Sequence, residues 1–347
     1  MAVEIDLVKR KPDWLRVSLP SGDDYDRVRA KVNALALNTV CKEAACPNIA
    51  ECWGAGTATI MILGDTCTRG CRFCAVKTGQ PRGAVDVREP EHVARALARM
   101  PLQYVVMTMV DRDDLLDGGA EHVARTVRRL KELRPDMLVE TLLGDFGGHL
   151  DCVDTTTAAG PDVWAHNIEV VRRLQRVIRD VRCSYERSLD VLKRARARAD
   201  AAGQGGRPML TKSSIMVGIG EEDGEVLETM RDLRAAGVDV VTLGQYLRPT
   251  PKHAPVDRYV TPEQFDAFAA EGRAMGFLYV AAGPLVRSSY KAAEVFIRSR
   301  LAPGGGDVES VLRDRVDEAH AHSTSELAAR SASSLLPPGA LVRKSAG

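Results

Sequence analysis

The 347-residue chain has no run of about 18 uncharged apolar residues, so no transmembrane helix is expected. Its opening, MAVEIDLVKRKPDWLR, lacks the apolar core of a secretory signal, which argues against export and makes the cytoplasm the expected compartment. Neither charge is in excess. The 48 Lys and Arg against 47 Asp and Glu leave a net +1, which gives no support for nucleic-acid binding. The dinucleotide-binding glycine fingerprint is also missing, because LGDTCTRG and GIGEEDG have the wrong spacing. Apolar residues are not scarce: 45% of the chain is hydrophobic, an ordinary share for a globular protein, and the length allows one large core or two smaller ones.

Six of the eight cysteines fall within residues 41–74. Cys41, Cys46 and Cys52 read C-x4-C-x5-C, whereas Cys67, Cys71 and Cys74 read C-x3-C-x2-C. Such clustering without an export signal favours metal ligation over a disulfide framework. Structural zinc sites commonly draw four ligands as two pairs. A tight triplet suits three irons of a cubane instead, and leaves the fourth iron open to a small bidentate ligand. On spacing alone, zinc with a distant fourth ligand stays open. Cys152 and Cys183 have no spacing partners and read as small buried thiols.

A helix is expected near 22–37, and from about 57 a new rhythm begins. Apolar runs at 58–64, 104–110, 137–143, 162–167, 210–219, 238–244 and 277–283 read as strands. Between them lie helical patterns such as HVARALARM, EHVARTVRRLKELR, SLDVLKRARARA, VLETMRDLRAAG and PEQFDAFAAEGRAMG. This alternation predicts a parallel sheet curved into a full or partial barrel, with a doubly wound sheet still open on periodicity alone. Polar residues and glycines follow the apolar runs: Asp65, Asp111–Asp114, Gly118, Gly119, Glu140, Asp145, His166, Asn167, Gly218–Glu221, Gly244 and Gln245. In a parallel barrel the C-terminal strand ends form the active-site face, although turns and helix caps account for some of these residues. After about 297 the pattern weakens, and LAPGGG at 301–306 marks a break.

CTRGCRFC, placed after the first strand, resembles the motif of the radical S-adenosylmethionine superfamily. Within it, the chain is similar to the lipoyl synthases. The matching stretches are TVCKEAACPNIAECWGAGTATIMILGDTCTRGCRFC, DRDDLLDGGA, GPDVWAHNIE, TKSSIMVGIGE, LGQYLRPTPKHAPVDRYVTPEQF and GPLVRSSY, which together span about 11–291. Lys42 and Ala50 depart from the acidic residue and glycine of the family pattern, and the C-terminal extension is longer than usual.

The resemblance implies a partial (β/α)6 TIM-like barrel at 56–282, preceded by an extension at 1–55 that carries the auxiliary-cluster cysteines. A lid with RSSY at 283–300 and a helical or poorly ordered tail at 301–347 would follow. It implies two [4Fe-4S] clusters. Cys67, Cys71 and Cys74 would hold one that binds and cleaves S-adenosylmethionine; Cys41, Cys46, Cys52 and Ser289 would hold a second, sacrificed as sulfur donor. Cofactor contacts are implied for Phe73, Gly118, Gly119, Glu140, Asn167, Gln245 and Leu247, with Gly218 and Gly220 flanking the adenine. The implied reaction inserts sulfur at carbons 6 and 8 of a protein-bound octanoyl-lysine.

Implied partners are an octanoylated lipoyl carrier domain or glycine-cleavage H-type protein, a flavodoxin or ferredoxin as electron donor, and an iron–sulfur carrier that restores the cluster. A monomer is expected, with no nucleic acid or membrane partner. Another radical sulfur-inserting enzyme, or a non-catalytic iron–sulfur electron carrier, is the alternative.

Overall fold

Seven parallel strands pair in strict sequence order: β1 Thr59–Ile62, β2 Tyr104–Met109, β3 Leu138–Leu142, β4 Val163–Ala165, β5 Leu210–Val217, β6 Val240–Gln245 and β7 Tyr279–Gly283. Six helices make the crossovers: α1 Glu89–Ala98, α2 Ala120–Leu133, α3 Leu150–Ala158, α4 Tyr185–Ala202, α5 Asp223–Ala235 and α6 Pro262–Ala274. β1 and β7 are not hydrogen-bonded neighbours, so the sheet stays open as six βα units and a closing strand. This is the partial (β/α)6 barrel. All seven expected strands form; α3 was not among the helical patterns read from sequence.

The computed structural model describes residues 11–15, 29–30, 32, 38–43, 49, 59–100, 102–202 and 209–289. They belong to one compact unit, Met1–Glu294; a second unit, Val295–Gly347, lies outside the described residues. The helix expected near 22–37 lies outside them too, apart from helical Arg29, Ala30 and Val32, as do Cys46, Cys52, Tyr290 and the side chain of Cys41.

Register explains why the strands read as unbroken apolar runs. Residues paired across a parallel ladder share a face. On one face Val105, Met107, Val139, Trp164, Ile215 and Val241 join the main core under the helices. The other face lines the barrel and carries Tyr104, Thr108, Glu140, Lys212, Ser214 and Thr242, all buried. Both faces are withdrawn from water, so the period-2 alternation is muted. The first edge is partly covered from the N-terminal side, where Thr39 bridges Ile60 and Met61 N–H donates to Asn38 O at 2.9 Å.

The helices owe their ends to local chemistry. α6 starts at Thr261, whose side chain accepts from Gln264 N–H, with Pro262 at its first turn. α5 is closed by a capping box between Glu222 and Glu225. Each crossover returns the chain so that every βα loop emerges on the same face.

Candidate active site

The first βα loop carries the second cysteine triplet. β1 ends in two left-handed residues, Leu63 (φ 68°) and Gly64 (φ 87°), which turn the chain sharply across the sheet's C-terminal face. The loop closes a short ladder of its own, Thr66–Cys67 against Lys77–Thr78, and the backbone groups between these strands need further partners. Segments following three other strands supply them. After β2, Asp111 O accepts from Thr68 N–H at 2.9 Å. After β4, Ile178 O accepts from Arg72 N–H at 2.8 Å, Asp180 Oδ2 accepts from Gly70 N–H at 2.8 Å, and Arg182 donates to Thr68 O at 2.6 Å. After β6, Ala254 N–H donates to Arg72 O at 2.9 Å, and His253 Nε2 lies 3.0 Å from Cys74 O.

Arg69 anchors the loop from inside. Its side chain is only 2% exposed and forks onto Asp113 at 2.7 Å, reaches Asp145 at 2.7 Å, and lies 3.5 Å from Asp111. Burial would raise the Asp113 and Asp145 carboxyls, but the hydrogen bonds and charge of Arg69 hold both below their usual range. Asp111 is pushed up to about 6 by burial against the pull of Arg69. The DRDD run therefore divides its work. Asp111 and Asp113 face the cysteine loop, whereas Arg112 and Asp114 pair with each other at 2.8 Å and hold the chain around Gly83 and Ala84.

Cys67, Cys71 and Cys74 are half-buried and free. Burial, then the Asp111 carboxylate, push the Cys67 thiol up to about 11; Cys74 is raised by burial, and Cys71 by a hydrogen bond to Cys183 and by burial. Cationic iron would reverse that preference, because a metal draws the proton off its sulfur ligand. Among the described residues no three His, Cys, Asp or Glu groups converge as they would around a single ion. Three thiols on one short loop nonetheless fit a cubane, which takes each thiolate on a different iron and needs them further apart. Backbone N–H groups already aim at sulfur, from Arg69 to Cys67 at 3.4 Å and from Asp180 to Cys71 at 3.3 Å.

Of the other expected residues, Gly118 and Gly119 have φ of 58° and 89° and open α2, where Gly119 is the N-cap. The left-handed backbone at Gly119 favours glycine, and a Cβ there would also press on Leu63 Cδ1, 2.4 Å away. Phe73 packs partly buried against the core. Asn167 donates to Glu169 at 3.1 Å, and Leu247 is half-buried just beyond β6.

Two of the expected contact residues have partners within the protein itself. Glu140 lies within β3 rather than at its end; its oxygens accept from Lys212 Nζ at 2.8 and 2.9 Å and from the Tyr104 hydroxyl. Gln245 is 2% exposed, and its amide binds Tyr246 O, Arg258 O and Val260 N–H. Both side chains are engaged by the protein itself. Gly218 is filled in similarly: a Cβ would meet Gln245 Nε2 at 2.1 Å, whereas around Gly220 there is open space. His166, another strand-end residue, is structural, hydrogen-bonded to Leu143 O at 2.8 Å and Ser188 Oγ at 3.0 Å.

Ser289 is half-exposed in a turn beyond β7. This segment crosses close above β6: a Cβ on Gly244 would lie 2.0 Å from Val286 O. It thus stands on the same C-terminal face as the cysteine loop.

The residues missed by sequence reasoning are Arg69, Asp180, Arg182, Cys183 and His253. Arg69 sits inside the motif and Asp113 inside DRDD, so a buried Arg–Asp pair had some sequence signal; the 177–183 strap had none. Cys183 is half-buried rather than buried, and it is linked to Cys71 through Asp180, which bonds to both residues.

A model of the radical SAM superfamily matches residues 61–233, and one of the N-terminal domain of lipoyl synthase matches residues 4–46. The chain is 60% identical to a lipoyl synthase of Sorangium cellulosum, over 96% of this chain and 98% of that one. It is 56% identical to that of Thermus thermophilus over 84% and 88%, and 55% identical to a chloroplastic lipoyl synthase of Populus trichocarpa over 84% and 77%. Among solved structures, Streptococcus suis SuiB bound to precursor peptide SuiA superposes with a TM-score of 0.50 at 10% identity, over 74% of this chain and 52% of that one, a likeness of fold alone. The chain belongs to the lipoyl synthase family of the radical S-adenosylmethionine superfamily.

Proposed function

We propose that this protein inserts two sulfur atoms, at carbons 6 and 8, into an octanoyl chain carried on a lysine of a lipoyl carrier domain or a glycine-cleavage H-type protein. The observation that carries the reading is the pairing, on one face of the sheet, of the clamped Cys67–Cys74 loop with the turn that bears Ser289. A [4Fe-4S] cluster on Cys67, Cys71 and Cys74, with S-adenosylmethionine at its open iron, supplies an adenosyl radical able to take hydrogen from an unactivated carbon.

The chain's own residues bind and orient. Arg69, Asp113, Ile178, Asp180 and Arg182 hold the thiol loop. Gly118 and Gly119 offer bare backbone to the methionine end of the cofactor, while Phe73, Asn167 and Leu247 border its adenosyl part. Cys41, Cys46 and Cys52, with Ser289 as fourth ligand, hold a second [4Fe-4S] cluster as the sulfur source. A serine oxygen is a hard ligand among soft thiolates, suited to a cluster that must come apart. A flavodoxin or ferredoxin supplies electrons and an iron–sulfur carrier replaces the consumed cluster. The protein works as a monomer in the cytoplasm. No described helix is long and apolar enough to cross a membrane.

The test is anaerobic turnover of the reconstituted protein with S-adenosylmethionine, a reductant and an octanoylated lipoyl domain. A carrier mass gain corresponding to two sulfurs, with 5′-deoxyadenosine formed, is expected; cofactor cleavage without sulfur in the carrier sinks the reading. Iron analysis should give about eight irons per chain for two cubanes.

A further inference from the structure

Cys183 belongs to neither triplet, yet it stands beside Cys71 in the fold, with Asp180 bonded to both residues. The two thiols ride on pieces of backbone already tied together, by Gly70 N–H to Asp180 Oδ2 and by Arg72 N–H to Ile178 O, both at 2.8 Å. Asp180 also orders both sulfurs' surroundings. Its N–H donates to Cys71 Sγ at 3.3 Å and its carbonyl accepts from Cys183 N–H at 2.9 Å. Arg69 donates to Cys183 Sγ at 3.4 Å from the other side. Both thiols are half-buried, so a small reagent reaches them.

We infer that Cys71 and Cys183 form a reversible disulfide when the cluster-free protein meets a low-molecular-weight disulfide such as glutathione disulfide. One of the two thiolates attacks a sulfur of the small disulfide and releases one small thiol. The second thiolate then attacks the mixed disulfide, forms the Cys71–Cys183 bond and releases the other. The pair loses two protons and two electrons, and the oxidant ends as two thiols. Closing a sulfur–sulfur bond of about 2 Å draws on side-chain rotation, because loop and strap are already held together by Gly70 and Arg72. Where thiols are kept reduced the pair stays open, and an oxidising excursion closes it. Resting on the proposal that Cys71 is a cluster ligand, the bond shelters that ligand from irreversible oxidation and bars cluster insertion until a reductant arrives.

The full chain, freed of iron by a chelator under anaerobic conditions, is treated with glutathione disulfide, alkylated, digested and read by mass spectrometry. The expected result is a cross-linked peptide joining Cys71 to Cys183, released by dithiothreitol. Reconstitution with iron and sulfide should be lost at the radical site before that release and restored after it. Cys183→Ala and Cys183→Ser should keep cofactor cleavage when reconstituted without oxidation, and should carry glutathione on Cys71 after it. Cys71 joined to Cys67 or Cys74 in the natural sequence, or glutathione on Cys183 with no cross-link, overturns the inference. A cross-link that leaves reconstitution intact upholds the disulfide and refutes Cys71 as a ligand, so the two failures are told apart.

Discussion

At the scale of single residues, the buried charges decide most. Arg69 balances Asp113 and Asp145 with almost no water around it. Arg69→Met leaves those carboxylates without their counter-charge, a loss of about 3–5 kcal/mol for a broken buried pair. Thermal unfolding of the cluster-free protein should show it, and iron bound at the radical site should fall in parallel. Arg69→Lys should recover only part, because an ammonium cannot fork onto two carboxylates. Lys212 and Glu140 make a second such pair inside the barrel. Glu140→Gln should cost a similar amount, whereas the double change Glu140→Gln with Lys212→Met should be milder than the single one. Equal losses would mean that the pair is not the cause.

His166 gives a pH dependence with a defined sign. Burial and the Arg179 charge push its imidazole down to about 4 from an ordinary 6.5. The unfolded chain therefore binds the proton first, and stability falls as pH drops below 6.5 toward 4. Between pH 7 and 5 this amounts to about 2 kcal/mol. Asp111, raised to about 6 by burial, works in the opposite direction over the same window. The His166 share is accordingly read from denaturant unfolding of the natural protein against His166→Gln, which should lose less stability on acidification. Identical pH slopes would refute it.

At the scale of elements, legibility followed periodicity. The strands were readable because each is a short β-rich run bounded by glycine or charge, and α1, α2 and α4–α6 because their apolar residues repeat at helical spacing. α3 escaped notice. Its sequence LDCVDTTTA is rich in threonine, and Thr155, Thr156 and Thr157 each donate back to a carbonyl three or four residues earlier. Those bonds satisfy hydroxyls that would otherwise favour turns, and they form only once the helix exists. The segment beyond β7 depends on a different kind of fit. Gly244→Ala would drive a Cβ into Val286 O. It should displace the Ser289 turn and cut sulfur transfer by about 100-fold, as misplacement of about an ångström does. Cofactor cleavage to 5′-deoxyadenosine should persist, because the Cys67–Cys74 loop is held elsewhere; loss of both activities together would count against this division.

At the scale of the whole molecule, three chain segments meet at the cysteine loop, and the four should behave as one unit. Residues 67–79, 111–114, 177–183 and 248–255 are joined by hydrogen bonds through backbone atoms of the cysteine loop. Stripping iron with a chelator removes a ligand that binds the folded state, so the thermal midpoint should drop. Amide hydrogen exchange should rise in all four segments together and stay unchanged in the core helices. Exchange confined to 67–79 would show that the segments are not coupled.

The sequence by itself determined the class of fold, the two cysteine triplets and the family, because each of these is local: a period, a spacing, a motif. It could not show that Glu140 and Gln245 give their polar groups to Lys212, Arg258 and Val260. Nor could it bring Cys183 to Cys71 or Arg69 to Asp145, since those meetings arise only when separate βα loops converge on one face. Side-chain roles at such a site depend on which partner lies within about 3 Å, and distances that short between remote residues are set by packing of the whole barrel.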